Sequence, residues 1–398
     1  MPPTRILTRN VWILSLVSLM TDVASEMLYP VMPVYLKTIG FSIILIGVLE
    51  GFAEAAAGLS KGYFGNLSDA VGRRLPFVQA GYAFSAISKP MMAAFVHPLW
   101  IFFARAVDRL GKGIRTGARD ALLSDEATPA TKGQVFGFHR AMDTLGAVTG
   151  PLLALVFLSA NPGAYRALFL WAFVPGVLAI AFTLFIREKR HTRAVSISKP
   201  GFLDFLRYWR RSPAEYRRLA GALLLFTLFN SSDVFLLLKI KEAGLSDTVV
   251  IGIYIFYNLV YALAAYPLGI AADRLGMKRV FAGGLLLFAA AYAGMAFAHT
   301  QAVFIALFFL YGLYAAATEG VAKAWISNIC EKKDTATAIG TYTAFQSICA
   351  LLASSLAGLI WYSAGPAATF GLSAVVAVLV AGYLLRMPNY ELRMGKFD

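Results

Sequence analysis

The chain has 398 residues, of which 59% are hydrophobic and 15% charged, against roughly 45–50% and 25% in soluble domains, which excludes a single water-facing globule. The net charge of +14 is confined to loops and tails, which excludes a nucleic-acid footprint. Cys330 and Cys349 lie in or beside apolar stretches and make neither a disulfide framework nor a metal site.

A bilayer core takes about 20 apolar residues per spanning helix. Six spans are predicted near 11–37, 41–64, 76–97, 99–123, 135–160 and 165–186. Six more follow near 219–240, 248–270, 280–298, 300–328, 337–361 and 367–386. Trp12 to Met20 is followed by Asp22, Ser25 and Glu26 with no small-residue cleavage site. The first span therefore reads as a membrane helix and not as a cleavable signal. The stretch 187–218 is the longest polar one and carries ten Lys and Arg. Phe202, Phe205, Leu206 and Trp209 recur in it at helical spacing, which predicts an interfacial amphipathic helix on the cytoplasmic leaflet, the alternative being a solvated basic linker. The domains expected are a bundle over 1–186, a linker over 187–218 and a second bundle over 219–398.

Away from their ends the predicted spans hold nine basic and nine acidic residues. Loops on one side hold 23 Lys and Arg, those on the other only Lys37, Arg166, Lys239 and Lys241. That asymmetry puts both termini in the cytoplasm of a multi-pass protein.

The two halves repeat. Gly65, Asp69 and Gly72 recur as Gly269, Asp273 and Gly276 at an offset of 204. Gly137 recurs as Gly340 at an offset of 203. The segment from Gly65 to Arg73 and Arg74, and its copy from Gly269 to Lys278 and Arg279, each follow an even-numbered span. Both resemble motif A of the major facilitator superfamily. Read in a loop, the glycines permit a close turn. Asp69 can accept hydrogen bonds from a neighbouring helix N-terminus, and Arg73 anchors the cytoplasmic face. In the fifth span Gly137, Gly146, Gly150 and Pro151 resemble the superfamily's motif C, which marks efflux antiporters. The alternative is a packing stripe with no directional meaning, because Gly and Pro are frequent in spanning helices.

Arg105, Asp108, Arg109, Lys112, Arg115 and Arg119 fall on about one face of the fourth span. The resemblance makes Arg105 the superfamily's basic residue of that span. Such charges must face a cavity or a partner. Asp22 and Glu26 in the first span, Glu50 and Glu54 in the second, and His139, Arg140 and Asp143 in the fifth supply the counterparts. One reading is a polar cavity whose carboxylates Asp22, Glu26, Glu50, Glu54 and Asp143 carry protons. The other is a static lattice of ion pairs. The second half offers Asn230, Asp233, Tyr257, Asn258, Tyr261, Glu319 and Gln346. Tyr254, Tyr257, Asn258 and Tyr261 share one helical face, either as ordinary packing or as aromatic and amide contacts for an organic ligand.

There is no phosphate-binding glycine loop of the G-x4-G-K-S/T type, no nucleophile elbow and no metal-spaced histidine set. The expectation is an all-α integral membrane protein of the major facilitator fold, with about twelve transmembrane helices in two pseudo-symmetric six-helix bundles. The resemblance implies a secondary transporter working by alternating access, not an enzyme. It would export a small organic solute in exchange for protons, or alternatively import an anionic metabolite or a metal chelate. It would need no cofactor beyond an ion gradient. Its partners would be the solute and the bilayer, with no nucleic acid, and it would act as a monomer in a bacterial inner membrane.

Overall fold

Thr8 starts the first helix by accepting the N–H of Val11 on its hydroxyl at 3.3 Å. That local cap fixes where the first span leaves the polar tail. The computed structural model describes residues 6–29, 31–32, 35–36, 39–40, 43–188 and 201–388, without the side chains of 43–56, 247 and 248. All regular elements among the described residues are helices. They are α1 (Arg9–Glu26), α2 (Ile43–Val71), α3 (Leu75–Ala94), α4 (Pro98–Asp125), α5 (Lys132–Ala160), α6 (Tyr165–Thr183) and α7 (Phe205–Arg211). Then come α8 (Ala214–Phe229), α9 (Asp233–Glu242), α10 (Asp247–Leu275), α11 (Met277–Phe297), α12 (Gln301–Ile329) and α13 (Thr335–Arg386), with one short 3-10 turn before α13.

These make the twelve expected spans. The helices α8 and α9 form one span with a break at Asn230–Ser232, and α13 forms two, parted where Gly365 takes φ +82° ahead of Pro366. Seven of the continuous stretches are long and apolar enough to cross a membrane by length and composition. Helix α4 is not among them, because six of the side chains from Arg105 to Arg119 are charged.

The chain divides into two compact units. The first is Met1–Glu126, Met142–Arg211 and Glu331–Ala344; the second is Ala127–Ala141, Ser212–Cys330 and Phe345–Asp398. Lipid gives spanning helices no hydrophobic reason to associate, so close packing of small residues must do so. In the first unit a Cβ added at Gly111 would lie 2.6 Å from the Gly81 carbonyl, so α3 and α4 meet backbone to backbone. One end of this unit is closed by an apolar cluster that includes Leu28, Tyr35, Met92, Ile101 and Phe169, with Tyr35 edge-on to Phe169 at 4.8 Å.

In the second unit Gly284 of α11 meets Ala317, Thr318 and the Tyr314 carbonyl of α12. Gly81 meets Gly111 and Arg115 in the first unit. The three residue pairs differ by 203, so the repeat offset holds for α3 and α4 against α11 and α12.

One sequence expectation is corrected here. Gly65 and Asp69, and equally Gly269 and Asp273, are not in loops. They form the last turns of α2 and α10, and only Gly72 (φ +69°) and Gly276 (φ +93°) turn the chain. Gly65 serves a close approach instead, because a Cβ there would strike the Ala336 carbonyl of α13. Within the linker, α7 is seven residues long and Phe205 points into the protein. Its ring fills the space beside Gly62, and its carbonyl accepts the Thr341 hydroxyl at 3.3 Å. Phe202 and Leu206 stay exposed.

Candidate functional site

Each unit holds its own polar cluster. In the first, α4 supplies the charges. Arg105, Asp108, Arg115 and Arg119 are all buried. Asp108 accepts Lys89 Nζ of α3 at 2.7 Å and Ser88 Oγ at 3.3 Å, with Arg105 at 3.9 Å. Lys89 also reaches Ser25 of α1 at 3.4 Å. Arg115 donates to Ser85 at 2.7 Å and lies over the Tyr82 ring at 4.6 Å.

Arg119 turns the other way. It holds Asp120 at 2.9 Å and donates to Ser18 of α1 at 3.3 Å. Ser18 in turn donates to Asp143 of α5, and the Asp22 and Asp143 carboxyls stand within hydrogen-bonding reach. The six-charge stripe of α4 is therefore not one site. At 3.6 residues per turn it spans an arc of about 120°, wide enough to face two neighbours.

Lys112 is the exposed member of that stripe, half-way along α4. Its charge acts on Asp22 and Glu26, and that of Arg109 on Glu26 and Asp108. Behind these carboxylates lies the Gly146 and Gly150 stripe of α5. A Cβ at Gly146 would lie 2.8 Å from Asp22 Cβ, and one at Gly150 would lie 2.9 Å from Glu26 Cβ. Pro151 follows within the helix. The two glycines thus let α5 press against the acidic turns of α1. The side chains of Glu50 and Glu54 lie outside the described residues.

The second unit is aromatic where the first is charged. Tyr257 and Tyr311 have ring centroids 5.0 Å apart, Tyr311 and Tyr314 5.3 Å, and Tyr257 and Tyr261 6.3 Å. Tyr311 donates its hydroxyl to Asp233 at 2.6 Å. Asn230 donates to Tyr314 at 3.1 Å, and Ser231 pairs with Tyr292 at 3.0 Å. Arg140 bonds to the Tyr261 hydroxyl and lies 3.4 Å from Glu319. His139 is buried. Asn258 spends its amide on the Tyr254 carbonyl one turn back, and Gln346 makes no side-chain hydrogen bond among the described residues. With the 203 offset, Lys89 and Asp108 correspond to Tyr292 and Tyr311, so an ion pair in one unit is replaced by a tyrosine pair in the other. Lys89, Tyr292, Tyr311 and Tyr314 are absent from the sequence-based candidates. The signal that could have found them was this repeat correspondence.

The paired Gly-Asp-Gly segments form matching latches. Asp69 accepts the Thr337 N–H at 2.7 Å and the Thr337 hydroxyl at 2.9 Å. Asp273 accepts the N–H groups of Gly133 and Gln134 at 2.7 and 2.8 Å. Gly340 packs on Gly65 as Gly137 packs on Gly269. The first latch is reinforced by an arginine. Arg74 bonds to Asp125, reaches Asp69 at 3.2 Å, and has its own N–H held by Glu188 at 2.7 Å. Its counterpart Lys278 is turned to the Met387 carbonyl at 2.9 Å. Arg73, one residue earlier, enters none of these latch bonds.

The sequence matches the Major Facilitator Superfamily over residues 14–256 and 235–393. The chain belongs to that superfamily. It is 32% identical over 387 residues to an uncharacterised MFS-type transporter of Methanocaldococcus jannaschii, covering 96% of this chain and 95% of that one. It is 30% identical over 159 residues to multidrug resistance protein MdtG of Proteus mirabilis, 38% of either chain. The fold is similar to that of the human organic anion transporter MFSD10, with a TM-score of 0.82 at 18% identity, over 96% of this chain and 100% of that one. It is also similar to the Escherichia coli fucose:proton symporter FucP, with a TM-score of 0.70 at 13% identity, over 95% and 98%. As a superfamily member the chain is a multi-pass membrane protein and a secondary transporter of small solutes, not an enzyme.

Proposed function

We propose that this transporter exports a small organic solute in exchange for protons. The carrying observation is the Asp22 and Asp143 carboxyl pair, with Lys112 acting on Asp22 and the Arg119–Ser18 chain ending on Asp143. Two carboxyls in hydrogen-bonding reach titrate as one coupled unit and can hold a single proton between them. Glu26 lies one turn along α1, against Gly150. A change in the distance of Lys112 from that pair would load or release the proton. Export draws on two supports: the small-residue stripe Gly146, Gly150 and Pro151, and the partial likeness to a multidrug resistance protein. No cofactor is needed, because an ion gradient supplies the drive. The termini and linker lie in the cytoplasm, the membrane is a plasma membrane (the inner one in a bacterium), and the working unit is one chain.

A second reading, import of an anionic metabolite or metal chelate, is favoured by one observation. Lys112 is exposed at mid-helix, where an anion could meet it. A proteoliposome uptake screen run with and without a pH gradient separates the two. Export by exchange is supported by solutes that accumulate only against an imposed outward proton gradient. Uptake of organic anions with the proton, in the same direction, overturns it.

A further inference from the structure

Asp233 is the first residue of α9, inside the span that α8 and α9 share. The helix is broken just before it. Asn230 has ψ 102°, and Ser232 caps the new helix by accepting the Val234 N–H. The break leaves backbone carbonyls of the last turn of α8 without helical partners, beside a carboxylate.

That carboxylate lacks a countercharge. Its hydrogen-bond partner is the neutral phenol of Tyr311, at 2.6 Å. Among the described residues no Lys, Arg or His lies within ion-pair distance of it. The charge that acts on it is that of Glu319, which has the same sign and is itself engaged by Arg140 at 3.4 Å. In the first unit, by contrast, Asp108 has Lys89 at 2.7 Å. The N-terminal dipole of a ten-residue helix offsets only part of the cost of a carboxylate removed from water. A positively charged visitor would complete the set.

The surroundings suit a particular kind of cation. Tyr257, Tyr292, Tyr311 and Tyr314 gather on the same side of the break, and the Asn230 amide joins them. Phenol rings attract a weakly hydrated organic cation through their faces. They offer little to a metal ion, which wants several oxygens at short range. A carboxylate ringed by phenols also disfavours an anion.

We propose that Asp233 and these tyrosines form a subsite for the cationic, ammonium-type group of an organic solute with an apolar body. This deepens the reading of the chain as an exporter of organic solutes and names the class of cargo that this unit recognises.

The test uses the full chain in detergent and two probes of the same shape and opposite charge, tetraphenylphosphonium and tetraphenylborate. Saturable binding of radiolabelled tetraphenylphosphonium is read by scintillation proximity. The wild type is expected to bind it, and radiolabelled tetraphenylborate, read in separate samples because the two ions pair in solution, is expected not to bind saturably. Asp233→Asn should weaken binding roughly tenfold or more, and Tyr257→Leu several-fold. Asp233→Glu, which keeps the charge, should stay within about threefold. Should Asp233→Asn fail to fold, judged by its melting curve, the Tyr257→Leu and Asp233→Glu variants and the separate borate binding decide. The proposal is overturned by wild-type affinity in Asp233→Asn, by equal saturable binding of the borate on its own, or by no saturable binding of the phosphonium to the wild type. Binding in detergent needs no gradient. A protein that binds the cation but shows no proton exchange refutes the coupling and leaves this subsite standing.

Discussion

The Asp69 carboxylate holds the first turn of α13 through the N–H of Thr337 at 2.7 Å and its hydroxyl at 2.9 Å. An acceptor on free N–H groups at a helix start is worth about 0.5–2 kcal/mol, and the negative charge adds to it through the helix dipole. The latch favours the conformation in which it is closed, and alternating access must pass through that conformation, so weakening the latch makes it rarer and turnover slower. Asp69→Asn should slow transport roughly tenfold, in line with a loss of about 1.4 kcal/mol, while expression and ligand binding stay near wild type. Asp273→Asn should act in the same direction but more mildly, because the second latch has no counterpart of the Arg74–Asp125 bond. Parallel measurement of binding and of exchange rates checks this. Weakened affinity with unchanged turnover would contradict it.

The latches show what was legible in the sequence. Gly65, Gly269, Gly137 and Gly340 each stand where a Cβ would collide with backbone of a crossing helix, so the repeat had to leave its mark as glycine. The acceptor role of Asp69 followed from its charge and place. Whether Gly65 makes a turn or a contact did not, because both uses ask for the same residue. The α4 stripe was legible as charge, but its division was not. Lys89 comes from α3 and Ser18 from α1, and only tertiary packing pairs them with Asp108 and Arg119. Tyr311 was passed over because a tyrosine in an apolar helix carries no signal until its hydroxyl is seen on Asp233.

Lys89 and Lys112 should behave as opposites. Lys89 is buried on Asp108 at 2.7 Å, and removing one member of a buried pair costs about 3–5 kcal/mol. Lys89→Met should therefore lower the melting temperature in detergent, and the double variant Lys89→Met with Asp108→Asn should recover much of the loss. Lys112 is exposed. Lys112→Gln should melt like wild type and lose transport. Matching thermal losses in both single variants would make Lys112 another lattice member and remove it from the site.

Topology is open to labelling from each side. The charge bias predicts a cytoplasmic linker, and Phe205 of α7 sits beside Gly62, in the half of α2 that ends at the Asp69 latch. A Ser196→Cys reporter in a background lacking Cys330 and Cys349 should react with an impermeant maleimide only after the cells are opened. Reaction in intact cells would invert the whole assignment.

Proton coupling can be tested on the carboxyl pair. Asp22 sits on α1 against Gly146, within reach of Asp143 and under the charge of Lys112. An amide in place of either acid keeps the size and most hydrogen bonds but holds no exchangeable charge. Asp22→Asn and Asp143→Asn should each retain solute exchange between equilibrated sides, since the rocking of the protein needs no proton to be carried. Each should lose accumulation driven by a pH gradient, and the double variant should be no worse than either single one, because the pair titrates as one unit. Additive losses would mean two separate proton sites. Glu50→Gln, made alongside, asks the same of α2. If Glu50→Gln uncouples transport while both aspartate variants still drive solute uphill with the wild-type pH dependence, the proton rides on Glu50 and the α1–α5 pair only holds the helices together.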